Sequence, residues 1–205
     1  MNLSYLIIGA GATGSCIGGY LATEGKSVTL IARGKHLQEI QNFGLTIEKA
    51  DGSRLFLSGI PAFSQEEYQE TVDVIFVCVK GYSLSPLIPF IKSCCHKNTL
   101  VIPILNLYGT GEKMAAQLPE ITVLDGCIYI AAEVCSPGFI KQKGEIFRIV
   151  FGPRDGNTNL PLLKKIQQDL RESGITPILS ERIKVDTYRK FSYVSAQNAV
   201  GISYN

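Results

Sequence analysis

The feature that most constrains the fold is a glycine-rich turn near the amino terminus. Gly9-Ala10-Gly11-Ala12-Thr13-Gly14 follows a mostly apolar run at residues 3–8 and opens a segment rich in small residues at 12–24. This order predicts a buried strand, a tight turn and a helix. The first glycine permits the turn, the second lets the backbone approach a phosphate, and the third allows close helix–strand packing. The free N–H groups at the helix start favour a bound phosphate, so we predict a dinucleotide-binding turn.

The rest of the chain alternates apolar runs with helical patterns, which indicates βαβ units and a mainly parallel sheet. Strands are predicted at 3–8, 28–32, 72–79, 100–105, 122–124 and 175–179, and helices at 12–24, 83–92, 112–118 and 160–173. Residues 45–57 alternate around Asp51-Gly52, which predicts a hairpin, and residues 126–151 predict an antiparallel segment. The predicted fold class is α/β, with a mainly parallel sheet flanked by helices.

A helical pattern from residue 181 to the end indicates the start of a second unit. We predict a nucleotide-binding domain at 1–180 and the beginning of a helical domain, cut short, at 181–205. The terminal helix needs a partner for its apolar side chains, and we expect the rest of the chain to supply little of it. We therefore predict that the segment around 185–205 is mobile, docks on a neighbouring molecule or pairs in a homodimer. The side chains concerned are Tyr188, Phe191, Val194, Ala199, Val200 and Ile202.

Composition excludes several classes of protein. Of the 205 residues, 45% are hydrophobic and 19% charged, and 20 Lys and Arg against 18 Asp and Glu give a net charge of +2. These values argue against disorder and against a nucleic-acid partner, because they provide little attraction for phosphates. Glycines interrupt the apolar amino-terminal stretch, which argues against a signal peptide or a membrane span. We predict a cytoplasmic protein without a membrane partner.

The cysteines and histidines form no metal-binding or disulfide pattern. Cysteines stand at positions 16, 78, 94, 95, 127 and 135, and no Cys-x-x-Cys occurs. The two histidines, His36 and His96, complete no zinc spacing. We predict six reduced, structural thiols and no metal site.

The end of the second predicted strand indicates which dinucleotide is bound. A site that prefers NAD usually places Asp or Glu there, where it holds the ribose 2′-hydroxyl. This strand instead ends in Arg33-Gly34-Lys35, with no acidic residue. The Arg33 guanidinium can pair with a 2′-phosphate, and the alternative is an ordinary solvated arginine. The sequence predicts NADP(H).

Two polar side chains follow buried strands at the edge where ligands bind. Lys80 comes after the run at 74–79, and Asn106 comes after the run at 100–105. Ligands of open α/β sheets lie beyond the carboxyl ends of the strands, so both are candidates for contact with substrate or cofactor. Either alone is equally well explained as a solvated residue, and their joint presence favours a site.

These motifs, in this order, resemble the ketopantoate reductases (2-dehydropantoate 2-reductases), which make pantoate for coenzyme A. The resemblance implies a Rossmann-type domain followed by an all-helical domain similar to that of 6-phosphogluconate dehydrogenase. Tyr188-Arg189-Lys190-Phe191 is similar to the family's Trp-x-Lys motif. The other matching elements are the turn at 9–14, Arg33, Val79-Lys80-Gly81-Tyr82, Asn106 and Phe151-Gly152-Pro153.

The resemblance also implies roles for individual residues. Lys190 would be the general acid that protonates the keto oxygen of a small 2-keto acid as NADPH delivers hydride. Lys80 and Asn106 would bind substrate and the nicotinamide ribose. Asn198, two helical turns after Lys190, would bind substrate.

Members of this family are longer than 205 residues. We therefore expect these residues alone to fold and bind nucleotide but not to turn over at a useful rate. Two other interpretations stay open. One is another 2-hydroxyacid or polyol-phosphate dehydrogenase with the same two-domain plan, and the other is a non-catalytic dinucleotide-binding module.

Overall fold

The computed structural model describes residues 2–203, and for residues 197–203 it describes the backbone alone. The chain alternates strands and helices, as predicted. The elements in chain order are β1 (Ser4–Ile8), α1 (Ala12–Thr23), β2 (Ser27–Ile31), α2 (Gly34–Phe43), β3 (Leu45–Glu48), β4 (Arg54–Leu57), β5 (Ala62–Phe63), β6 (Val72–Val77), α3 (Ile88–Ser93), β7 (Cys95–Pro103), α4 (Thr110–Gln117), β8 (Thr122–Val123), β9 (Asp125–Tyr129), β10 (Ala132–Ser136), β11 (Phe139–Gln142), β12 (Arg148–Gly152), α5 (Pro161–Glu172), β13 (Thr176–Leu179) and α6 (Ile183–Ser203).

A parallel sheet forms the centre of the fold. Its strands run in the order β5-β2-β1-β6-β7-β8, and each pair of neighbouring strands is parallel. Apolar clusters cover both faces of this sheet, which explains why its strands read as nearly continuous Val, Ile, Leu and Phe. The chain leaves β1 to one side for β2 and later returns to the other side for β6. The strand order therefore reverses between β1 and β6, and this is where such sheets bind ligands.

Two smaller sheets complete the described part of the chain. One has the order β10-β11-β3-β4 and the other β13-β12-β9. The predicted hairpin is confirmed, because β3 and β4 pair antiparallel across Asp51-Gly52. The segment at 126–151 is strand-rich but not wholly antiparallel, since β11 pairs parallel with β3 and β12 pairs parallel with β13. Among the described residues, no helix combines the length and apolar character needed to cross a bilayer.

Two predicted elements differ from the structure, and one helix was not predicted, each for an identifiable reason. The helix predicted at 83–92 is two 3₁₀ turns, Gly81–Ser83 and Ser85–Leu87, followed by the short α3. Pro86 and Pro89 have no N–H to donate, so each is confined to the start of a turn. Strand β7 begins at Cys95, five residues earlier than the run at 100. Helix α2 was not predicted, because it buries only Leu37 and Ile40.

Helix α6 packs against the rest of the chain at its start. Ser180 accepts a hydrogen bond from the Arg182 N–H at 3.0 Å and donates one to Asp186 at 2.6 Å. Ile183 is buried with Cys127 and Val150. The first turn of α6 is therefore anchored to the rest of the chain, whereas Tyr188, one of the side chains expected to need a partner, is 56% exposed. Ala199, Val200 and Ile202 lie outside the residues whose side chains are described.

Candidate functional site

The glycine-rich turn joins β1 to α1 and lies against the end of β6. Gly9 has φ +95°, and a Cβ there would lie 2.8 Å from Val79 Cγ1 and 3.1 Å from the Val79 nitrogen. A Cβ on Gly14 would collide with the Gly9 carbonyl oxygen. Gly11 faces open space, at the N-cap of α1. The turn is thus closed on the protein side and open on the outer side, as a pyrophosphate-binding backbone requires.

A cleft of about 710 Å³ opens beyond this turn, which is within the usual range for ligand pockets. It lies over the point between β1 and β6 where the strand order reverses. The predicted cofactor residues at this point, including Arg33 and Lys80, line it. Its principal lining residues are Gly9, Ala10, Gly11, Arg33, His36, Ser64, Gln65, Glu66, Lys80 and Tyr82. The size and the exposed backbone of this cleft fit a dinucleotide.

Arg33 stands at the N-cap of α2, directly after β2. Its side chain is exposed and borders the cleft. The loop after β5 adds a group that the sequence did not single out, the exposed carboxylate of Glu66. That loop is fixed by reciprocal hydrogen bonds, in which the Ser64 N–H donates to Glu67 Oε2 at 2.8 Å and the Glu67 N–H donates to Ser64 Oγ at 3.3 Å. The cleft therefore presents both a cation and an anion near the end of β2.

His36 is a second cleft residue that the sequence did not indicate. Its Nδ1 accepts a hydrogen bond from the Gly138 N–H at 3.0 Å, which ties α2 to the turn between β10 and β11. Burial lowers the pKa of His36, and the nearby Ala10 backbone works in the opposite direction. Nε2 is buried and forms no hydrogen bond of ordinary geometry with the described side chains. The sequence could have indicated His36, because it lies one helical turn after Arg33 and residues at this spacing share a helix face.

The structure divides the predicted polar residues between two cavities. Lys80 is exposed in the dinucleotide cleft, beside Tyr82. Asn106 instead lines a separate small cavity together with Lys190. The side chain of Asn198 is not described, so its role stays a prediction.

The small cavity brings together the end of β7, strand β9 and helix α6. Its lining includes Asn106, Cys127, Thr187, Lys190 and Val194. The volume is about 10 Å³, which is room for roughly one water molecule. The loop that carries Asn106 is held to α6 by Tyr108, whose ring meets those of Tyr188 at 5.5 Å and Phe191 at 6.4 Å.

Lys190 is half-buried, and its environment affects its protonation. Burial lowers the pKa of Lys190, while the nearby Cys127 works in the opposite direction. Its Nζ lies 4.4 Å from the ring centroid of Tyr129 and 5.9 Å from that of Tyr193. Burial raises the pKa of the Cys127 thiol to about 11, so this thiol is neutral near pH 7. The arrangement places an ammonium beside an amide at the edge of a cavity, which suits proton donation to a developing alkoxide.

The other thiols carry no comparable arrangement. The six cysteines are free, and in the described residues no group of three His, Cys, Asp or Glu side chains is placed to hold a metal ion.

Comparison with known proteins identifies the family. Residues 5–156 match the family described as ketopantoate reductase PanE/ApbA. The chain belongs to the ketopantoate reductase family. An uncharacterized oxidoreductase, YkpB, from Bacillus subtilis (strain 168) is 27% identical over 198 residues, covering 97% of this chain and 64% of its own length. The 2-dehydropantoate 2-reductase of Aquifex aeolicus (strain VF5) is 27% identical over 206 residues, covering 98% and 63%.

Solved structures of the family share the fold. The crystal structure of 2-dehydropantoate 2-reductase from Methylococcus capsulatus superposes with a TM-score of 0.87 at 23% identity, covering 99% of this chain and 65% of that one. A ternary structure of D-mandelate dehydrogenase with NADH and anilino(oxo)acetate superposes with a TM-score of 0.78 at 27% identity, covering 91% and 60%. The chain thus spans slightly less than two thirds of the length of these family members.

Proposed function

We propose that the protein reduces a small 2-keto acid with NADPH, converting 2-dehydropantoate to pantoate on the route to coenzyme A. The observation that carries the proposal is the cavity shared by Asn106 and Lys190, which come from distant parts of the chain. A half-buried ammonium beside an amide, in a family of oxidoreductases, is the arrangement that carbonyl reduction needs. The relative named 2-dehydropantoate 2-reductase supports this substrate.

The residues of this chain have distinct tasks in the proposed reaction. The glycine-rich turn and the start of α1 hold the pyrophosphate, and Arg33 pairs with the 2′-phosphate. When bound, the reduced nicotinamide supplies a hydride to the keto carbon. The hydride forms a new C–H bond while the C=O double bond becomes a C–O single bond, and Lys190 gives its Nζ proton to that oxygen to form the O–H bond. The neutral amine then regains a proton from solvent. Asn106 donates a hydrogen bond that orients the keto acid or the ribose.

The assay for this proposal follows absorbance at the reduced-nicotinamide band with a panel of substrates. The absorbance falls when 2-dehydropantoate or an aryl 2-keto acid is reduced with NADPH, and it rises when a polyol phosphate is oxidised with NADP⁺. We expect the highest kcat/KM with 2-dehydropantoate. A preference for the aryl acid would indicate a specificity like that of the D-mandelate dehydrogenase neighbour. Nucleotide binding without turnover of any substrate would favour a non-catalytic module.

The length of the chain tested matters for this assay. The cavity at Lys190 has a volume of about 10 Å³, which is too small for a keto acid. The 205 residues also span less than two thirds of the relatives' length. We therefore expect the 205 residues alone to bind NADPH but to turn over far below about 1 s⁻¹. The panel is run on both the 205 residues and the longest form that the reading frame encodes.

The cofactor preference is tested at Arg33. Replacing Arg33 with alanine should weaken NADPH binding by about 1.5–3 kcal/mol, the value of a hydrogen bond to a charged group, and leave NADH binding nearly unchanged. Both cofactors are titrated against wild type and variant, with Lys35→Ala as the matched control, because Lys35 is also exposed but does not line the cleft. Equal losses for both cofactors would contradict a 2′-phosphate contact. Tighter NADH binding in wild type would point to Glu66 holding the ribose hydroxyls.

We also propose a cytoplasmic location and a homodimer formed through α6. The six free thiols, one of them exposed at Cys135, are typical of a reducing compartment. Val185 and Tyr188 on α6 remain 43% and 56% exposed, and such side chains favour an interface.

A further inference from the structure

The Lys190 side chain lies over a tyrosine that no sequence motif singled out. The Nζ atom is 4.4 Å from the ring centroid of Tyr129. This is well inside the distance at which an ammonium is attracted to an aromatic face. Tyr129 is the last residue of β9, so its position is set by the sheet, whereas Lys190 belongs to α6.

The charge environment makes this ring important for Lys190. Burial disfavours the ammonium, and no carboxylate among the described side chains forms an ion pair with it. The aromatic faces of Tyr129 and, more distantly, Tyr193 are therefore the groups that stabilise the charge.

The titratable groups around the pair come from three elements. Cys127 lies on β9 and influences both Lys190 and Tyr129. Asp186 on α6 and Arg148 on β12 act on Tyr129. Burial raises the pKa of Tyr129 itself, so its hydroxyl stays neutral where the enzyme would work.

We propose that Tyr129 is a positioning residue, whose ring face holds the Lys190 ammonium at the cavity that Asn106 lines. The inference rests on the proposed function, because it concerns the proton donor of the same reaction. Loss of the ring would leave a partly desolvated ammonium without this stabilisation. The lysine would then be neutral in a larger fraction of molecules and free to leave the cavity.

The test measures the reactivity of the Lys190 amine directly. The protein is labelled with a trace of acetic anhydride, and mass spectrometry gives the ratio of acetylation at Lys190 to that at Lys184, an exposed lysine on the same helix. Tyr129 is replaced by phenylalanine and by phenylalanines with one, two, three and five fluorines. These keep the ring shape and progressively remove electron density from its face. The labelling ratio should stay near the wild-type value with phenylalanine and rise about threefold or more across the series.

Two further measurements separate a direct contact from a packing effect. Tyr108→Leu removes ring contacts between the Asn106 loop and α6 but keeps the Tyr129 ring, so it should raise the labelling ratio less than the fully fluorinated ring does. In the longest encoded form, the fall of kcat at high pH should move to lower pH along the fluorine series, because a weaker ring lowers the pKa of the proton donor.

The outcomes distinguish this inference from the proposed function. A labelling ratio that is flat across the fluorine series overturns the role of Tyr129, even if keto acids are reduced normally. An equal rise in Tyr108→Leu also overturns it, because helix docking would then be the cause. A rising ratio with no reduction of any keto acid keeps the contact and rejects the reaction.

Discussion

Replacing Lys190 with alanine is expected to lower kcat for keto-acid reduction by about 10²–10⁴-fold, the usual contribution of a general acid. Negative charge develops on the keto oxygen as hydride arrives. Among the described residues, Lys190 is the cation that lines the cavity together with Asn106. Without this ammonium, the alkoxide must be protonated by water, which is a much weaker acid.

Cofactor affinity should be almost unaffected by this change. Lys190 lines the small cavity, whereas Gly11, Arg33 and Lys80 line the larger cleft. The measurement compares steady-state rates and NADPH titrations for wild type, Lys190→Ala and the matched control Lys184→Ala, all in the longest form that the reading frame encodes. Near-normal turnover in Lys190→Ala would remove the residue from the mechanism. An equal loss in Lys184→Ala would indicate damage to α6 rather than loss of a proton donor.

The features that were predictable from the sequence are local ones. Gly9, Gly11 and Gly14 lie within one turn, and their roles follow from a strand before them and a helix after them. Arg33 and Lys80 each follow a buried strand directly. A parallel sheet is therefore enough to predict that both lie at the edge where ligands bind. In the structure, four of these five residues line the cleft, and Gly14 packs against Gly9 in the turn beside it.

The features that were missed depend on contacts between distant parts of the chain. Tyr129 reads as one apolar residue of a strand, and only the packing of α6 on β9 brings it under Lys190. Glu66 lies in a loop whose place at the cleft depends on β5 pairing with β2. The family resemblance implied a role for Asn106 and for Lys190, but it grouped Asn106 with Lys80, and no periodicity in the sequence relates Asn106 to Lys190. The irregular helix at 83–92 is different, since Pro86 and Pro89 already argued against a continuous helix.

Alanine at position 14 should mainly lower the stability of the fold, whereas alanine at position 11 should mainly weaken cofactor binding. Gly14→Ala places a Cβ against the Gly9 carbonyl oxygen and 3.0 Å from Ile7 Cγ2. Gly9 cannot move away easily, because it already lies against the Val79 backbone. We expect Gly14→Ala to lower the free energy of unfolding by about 1–3 kcal/mol or more, as overpacking does.

Gly11→Ala should leave stability nearly unchanged and weaken cofactor binding. Gly11 has φ −75°, which alanine adopts readily, and its added Cβ would have no neighbour within 4 Å. That Cβ would, however, project into the cleft where the pyrophosphate must approach the backbone, so NADPH affinity should fall about tenfold or more, a change of at least about 1.4 kcal/mol. Thermal unfolding and NADPH titration of both variants test the pair. If Gly11→Ala binds NADPH like wild type, the pyrophosphate does not lie on this turn. If Gly14→Ala is as stable as wild type, the close packing of α1 on β1 does not constrain it.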